Sequence, residues 1–118
     1  MKYLLLIYEN EANFAKVPEA EQGKIFQEYM DYTRDIRKTG HYLAGQALQP
    51  VSSATTVRVK DGKTLTTDGP FAETREQLGG FYMVEAKDLD EAIKLAARIP
   101  AARTGTIEVR PIMPTPTD

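Results

Sequence analysis

A chain of 118 residues, 42% of them hydrophobic, bounds a single domain with one core and no room for a second. Fifteen basic against 17 acidic residues leave a net charge of -2, without the cationic excess that counterion release on nucleic acid requires, which argues against a DNA or RNA partner. The absence of cysteine excludes disulfides, thiolate catalysis and zinc-cysteine sites.

Residues 3–8 open the chain as an apolar run on both alternating faces, the pattern of a central strand covered on each side. The run is too short for a signal-peptide core and meets Glu9 and Glu11 instead of a small-residue cleavage site. No segment has transmembrane length, so the expectation is a cytoplasmic protein with no membrane partner. After a loop at 10–16, Pro18, Glu19 and Glu21 mark a helix start and Gly40 a stop. Between them Ile25, Tyr29, Tyr32 and Ile36 form one core-facing stripe, opposite a solvated face of Lys24, Gln27, Asp31, Arg34 and Lys38. A short extended piece at 42–49 leads to a loop at 50–53. The β-branched runs 55–60 and 63–67 flank Asp61-Gly62, a pair suited to the positive φ of a type I′ turn, and predict a hairpin. Residues 81–86 read as a strand, and Asp88 with Glu91 resembles a capping box opening a helix whose buried stripe is Leu89, Ala92, Ile93 and Ala96. Pro100 ends that helix, and a last strand at 106–112 alternates Ile107 and Val109 with Glu108 and Arg110. The domain therefore spans 1–112, with 113–118 as a flexible tail.

The order β-α-β, hairpin, β-α-β fits an α+β fold: a ferredoxin-like split βαβ sandwich with an inserted β-hairpin and both helices on one face. A strand apolar on both sides then needs a cover for the free face, and a second copy of the sheet is the economical one, giving a homodimer. The segment Asp68-Gly69-Pro70-Phe71, continuing through Glu73, Thr74, Glu76, Gln77 and Gly79-Gly80, resembles the signature of the DGPF-domain branch of the YCII-related family. The run from Asp88 to Arg103 continues the likeness, which extends from Lys2 to about Ile112. The resemblance implies a dimeric α+β barrel with a cleft beside the signature loop. It does not imply a reaction. DGPF-type proteins resemble products often encoded beside extracytoplasmic-function sigma factors, so it also admits a regulatory role.

In the signature, Pro70 drives Gly69 out of the αR region and makes a rigid corner, into which Phe71 is expected to plug. Trimming that ring would then cost about 3–5 kcal/mol. Asp68, Glu73 and Glu76 form a carboxylate group with Thr74, able to act as general acid, general base or cation ligands when partly buried. The plainer account makes Asp68 an Asx turn and leaves the glutamates solvated. If the protein is catalytic, Asp68 transfers a proton and Tyr29 or Tyr32 donates a hydrogen bond, parts sufficient for a cofactor-free elimination or isomerisation. Tyr8, Gly69, Pro70, Tyr82, Arg58 and Arg110 complete the candidate small-molecule site, the arginines as bidentate anion binders or as rim ion pairs. The wider family is usually discussed in terms of a His and an Asp facing each other, with the His near the first helix. Here that stretch carries Tyr29 and Tyr32, while His41, directly after Gly40, reads as an exposed loop residue. No metal site is expected, nor a Ser-His-Asp triad, since Ser52 and Ser53 are adjacent in a loop.

Overall fold

The computed structural model describes residues 1–116. Its core is a four-stranded antiparallel sheet in the order β2-β5-β1-β6, with β1 at Lys2–Glu9, β2 at Tyr42–Ala47, β5 at Gln77–Glu85 and β6 at Thr106–Pro111. Between β2 and β5 in the chain, β3 (Thr55–Lys60) and β4 (Lys63–Asp68) form a two-stranded sheet of their own. Three helices accompany them: α1 (Glu11–Ala15), α2 (Glu19–Lys38) and α3 (Leu89–Ala97). The arrangement is compatible with a ferredoxin-like α+β fold.

Strand β1 divides its side chains as the alternation requires. Tyr3, Leu5 and Ile7 are buried beneath α2 and α3 with Tyr82, Val84, Tyr32, Ile36, Leu95 and Ile99, while Leu4, Leu6 and Tyr8 point to the other face and are half-buried. Leu5, Ile36, Ile99 and Val84 are the largest fully enclosed side chains, each worth roughly 1.5–3 kcal/mol of transfer from water. Helix α2 buries Tyr32 and Ile36 as the stripe predicts, with Ile25 and Tyr29 half-exposed at its N-terminal half. Among the described residues, no polar or charged side chain is buried.

Several expectations are corrected. The loop at 10–16 contains the short helix α1, because the Asn10 side-chain Oδ1 accepts from the Asn13 N–H at 2.9 Å and caps it. Helix α3 does open at Asp88, whose carboxylate accepts from Glu91 N–H at 2.9 Å, but its buried stripe is Ala92, Leu95 and Ala96. Leu89 and Ile93 are exposed: the small Ala92 and Ala96 let the helix backbone approach the sheet, which turns the larger residues outward. Strand β5 starts four residues earlier than expected, at Gln77, with a bulge at Gly79 where the register slips from Ile7↔Gly80 to Tyr8↔Leu78. The hairpin turn holds, with Asp61 at φ 52° and Gly62 at φ 75°.

The signature corner is the largest correction. Phe71 is 81% exposed and fills no core position, because the corner lies beyond the hairpin and outside the sheet-helix layers. Backbone bonds hold the corner instead. Gly69 N–H donates to Ala54 at 2.7 Å, Thr56 Oγ1 donates to the Gly69 carbonyl at 2.8 Å, and Gly69 takes a φ of 96° that only glycine adopts freely. His41 is also not a free loop residue. Its Nε2 lies 3.3 Å from Glu91 Oε1 and its Nδ1 lies 2.6 Å from Thr39 Oγ1, so it joins the end of α2 to the start of α3. Of the tail expected at 113–118, residues 117 and 118 lie outside the described part.

Candidate functional site

One end of the sheet gathers polar side chains from three segments. Antiparallel register puts Tyr8 opposite Leu78 on one side and Thr106 on the other, so the end of β1, the approach to β5 and the start of β6 meet. Gly105 makes the meeting feasible: a Cβ there would lie 2.1 Å from the Tyr8 carbonyl oxygen. The result is a shallow open groove of about 650 Å³, lined by Tyr8, Thr74, Glu76, Thr106, Ile107, Glu108 and Val109. Glu76 is positioned by the Thr106 hydroxyl, which donates to its carboxylate at 2.8 Å, while Gln77 accepts from Glu11 N–H at 2.9 Å and pins the same turn to α1. Glu108 accepts from Arg110 Nε at 2.7 Å on the same strand, so Arg110 is a rim ion-pair residue in this arrangement.

A second, smaller hollow of about 320 Å³ lies nearby, where Glu9, Asn10 and Asn13 face Phe14, Val17, Ile25 and Pro100, with Arg103 and Thr104 beside them. The Thr104 hydroxyl donates to Glu9 at 3.0 Å. Arg103 is committed to a bidentate pair with Glu28 at 2.8 and 2.9 Å, whose donated hydrogen bond holds the Glu28 carboxyl below its ordinary value. Burial, reinforced by the nearby Glu9 carboxylate, pushes the Tyr29 phenol well above its usual range.

Of the residues singled out from sequence, Tyr8, Thr74 and Glu76 come together in the larger groove. Asp68 and Glu73 are exposed and line neither hollow, and the adjoining Gly69 and Pro70 belong to the corner. Arg58 stands exposed on the hairpin. Tyr32 and Tyr82 are buried on the opposite side of the sheet. Tyr32 donates to the Leu95 carbonyl at 2.8 Å, and the Tyr82 hydroxyl lies 2.7 Å from Thr33 Oγ1. Burial raises both phenols above their ordinary value. The sequence reading missed Thr106 and Glu108 as lining residues, and with them Glu9, Asn13 and Thr104 of the second hollow. The alternation in β6 marked Glu108 as a solvent-side residue, but nothing local tied it to Tyr8 or Glu76. No group of three or more His, Asp or Glu with metal-holding geometry occurs among the described residues.

The YCII-related domain profile matches residues 1–116. The chain belongs to the YCII-related family. A relative from Rhizobium meliloti (strain 1021), uncharacterized protein R00369, is 35% identical over 114 residues, covering 95% of this chain and 92% of its own. In this YCII-related chain, helix α2 presents Tyr29 and Tyr32, and the one histidine serves as a link between helix ends. No helix is long and apolar enough to cross a membrane among the described residues.

Proposed function

We propose that this protein, a member of the DGPF branch, is a cytoplasmic homodimeric binding protein whose small-molecule site is the groove beside Tyr8 and Glu76. One observation carries the dimer. On the sheet face away from the helices, Leu4 stands beside Met83 and Leu6 beside Phe81, all only half-buried, with no element of the described chain laid over them. A contiguous apolar face of this kind is what two sheets stacked as a dimeric barrel would enclose. The groove opens at the end of that face, where Thr106 and Glu108 share the side of the sheet that carries Tyr8 and Leu6.

Catalysis through Asp68 with Tyr29 or Tyr32 has less support. A general acid or base needs a perturbed, partly shielded position. Asp68 is exposed at the end of β4, Tyr32 uses its hydroxyl inside the core, and burial pushes the phenols of Tyr29 and Tyr32 above their ordinary value. A lyase or isomerase of this chain would have to draw on Glu76 or Glu9 instead. A regulatory role beside sigma factors rests on the resemblance alone.

Light scattering on wild type and Leu6→Glu tests the proposal. The expected result is a wild-type dimer at micromolar concentration and a folded monomer for the variant, since a carboxylate on the buried face lacks any partner. A stable wild-type monomer overturns it. The ligand half is read by a metabolite screen in which Glu76→Gln loses the hits that wild type retains.

A further inference from the structure

The hollow beside Glu9 has no part in the function proposed above. Alternation along β1 sends Ile7 and Glu9 to the helix side of the sheet and Tyr8 to the other, so this hollow lies off the face that a second copy would cover. Its volume of about 320 Å³ is at the lower end of those that hold small molecules.

The walls are of two kinds. Phe14, Val17, Ile25 and Pro100 supply an apolar side, and Glu9, Asn13 and Thr104 a polar one. Hydrogen bonds hold the apolar side in place: Gln22 Nε2 donates to the Val17 carbonyl at 3.0 Å and to the Phe14 carbonyl at 3.4 Å, tying the end of α1 to the start of α2. Asn10 spends both ends of its amide on the same frame, accepting from Asn13 N–H and donating to the Arg75 carbonyl at 3.0 Å. Helix α1 buries none of its own residues, so these bonds fix the wall that it forms.

The charges of the hollow do not cancel. Among the described residues that line it, the one cation, Arg103, is held by Glu28 in the bidentate pair. Glu9 is half-buried and accepts the Thr104 hydroxyl on Oε1 at 3.0 Å, a neutral donor that leaves the carboxylate charge unmatched and Oε2 open to a further donor. The Asn13 backbone serves the helix cap, while its side-chain amide lines the hollow and offers a carbonyl oxygen. A carboxylate, an amide oxygen and an apolar wall in one small cavity are the parts that recognise an ammonium group on a hydrocarbon body. A ligand anion would meet Glu9 and would have to take Arg103 from Glu28.

We infer that the Glu9 hollow is a second binding site, for a small primary amine whose ammonium group donates to Glu9 Oε2 and the Asn13 amide while its apolar body lies on Phe14, Val17, Ile25 and Pro100. The site depends neither on the homodimer nor on the Tyr8 groove.

Benzylamine tests the inference, with benzyl alcohol and benzoate as neutral and anionic controls of similar size. Titrations followed by amide NMR read affinity and location together. The expected result is that benzylamine shifts the signals of Asn13 and Thr104, binds about tenfold or more tightly than benzyl alcohol, and is weakened by about tenfold or more in Glu9→Gln. Glu73→Gln, which removes an exposed carboxylate lining neither hollow, should bind as wild type does. No binding up to about 10 mM overturns the inference, as does equal affinity for the alcohol, binding of benzoate in the hollow, full binding by Glu9→Gln, or shifts centred on Thr106 and Glu108. Phe14→Ala gives an independent reading should Glu9→Gln fold poorly, because Phe14 is 37% exposed and supports no core. Loss of its ring should weaken benzylamine by about threefold or more, and an unchanged affinity overturns the site.

Discussion

The four-stranded sheet and the hairpin with its signature corner obey different rules although both are built of antiparallel strands. In the sheet, β1 and β5 lie between neighbours on both sides and beneath two helices, so each apolar side chain on that face is enclosed by others. In the arm, the backbone is ordered by its own ladder, a type I′ turn and the two bonds at Gly69, while its side chains meet water. Order in the first region comes from packing. In the second it comes from backbone geometry. The most recognisable motif in the sequence thus sits in the region that contributes least to the core.

The comparison breaks first at the core. Ile36→Ala leaves a cavity beneath β1 and should cost about 2–5 kcal/mol in chemical denaturation at fixed protein concentration, while Val57→Ala on the arm should change the same measurement by less than about 0.5 kcal/mol. Equal losses would mean that the arm is part of the folding core. Next is the strand junction. Gly105→Ala drives a methyl group against the Tyr8 carbonyl and should destabilise at the upper end of about 1–3 kcal/mol while also disturbing the groove. A variant as stable as wild type would show that β6 can shift away from β1 without cost.

Much of the sheet region was legible before any coordinates. The alternation in residues 3–8, the α2 stripe and the Asp61-Gly62 turn each follow from a local period or a local φ requirement, and all three reappear in the structure. The α3 stripe was misplaced because a four-residue apolar count cannot distinguish a helix face built on Leu89 and Ile93 from one built on Ala92, Leu95 and Ala96; the close approach to the sheet decides it. Phe71 was misread for a related reason. A phenyl ring beside a rigid Gly-Pro corner looks like a plug, but plugging needs a layer beneath it, and Phe71 at the base of the hairpin is 81% exposed. The groove is half-legible: the sequence singles out Tyr8, Thr74 and Glu76, whereas Thr106 and Glu108 join them only through the β1-β6 register.

A smaller effect separates the regions by pH. Glu28 is held below its ordinary value of 4.5 by the hydrogen bond from Arg103, and Glu91 by the Lys87 N–H and then His41. A lowered folded value means that the ionised form stabilises the fold above the unfolded value and that this contribution fades as pH falls through the folded one. Both groups belong to the helix-sheet body, so Glu28→Gln should flatten part of the loss of stability below about pH 4.5. The Glu28 pair is exposed and the Glu91 pair partly so, which keeps the effect small. An unaltered acid limb in the variant would assign the loss to other carboxylates.

The smallest expected effects fall on the signature itself, and they are the sharpest test of the contrast. Phe71→Ala removes a ring that touches no core, so the denaturation midpoint at fixed protein concentration should move by less than about 0.5 kcal/mol, not by the cost of emptying a cavity. Asp68→Asn replaces one exposed side chain by another of the same shape, so it too should leave the melt unchanged. The informative readout is ligand binding in the same pair of proteins. With the groove at Tyr8 and Glu76 as the site, Asp68→Asn retains every ligand that Glu76→Gln loses. Should Asp68→Asn abolish binding while the melt stays put, the carboxylate on the corner is a ligand anchor, the signature takes part in the site directly, and the division between a packed body that binds and an arm left in water no longer holds.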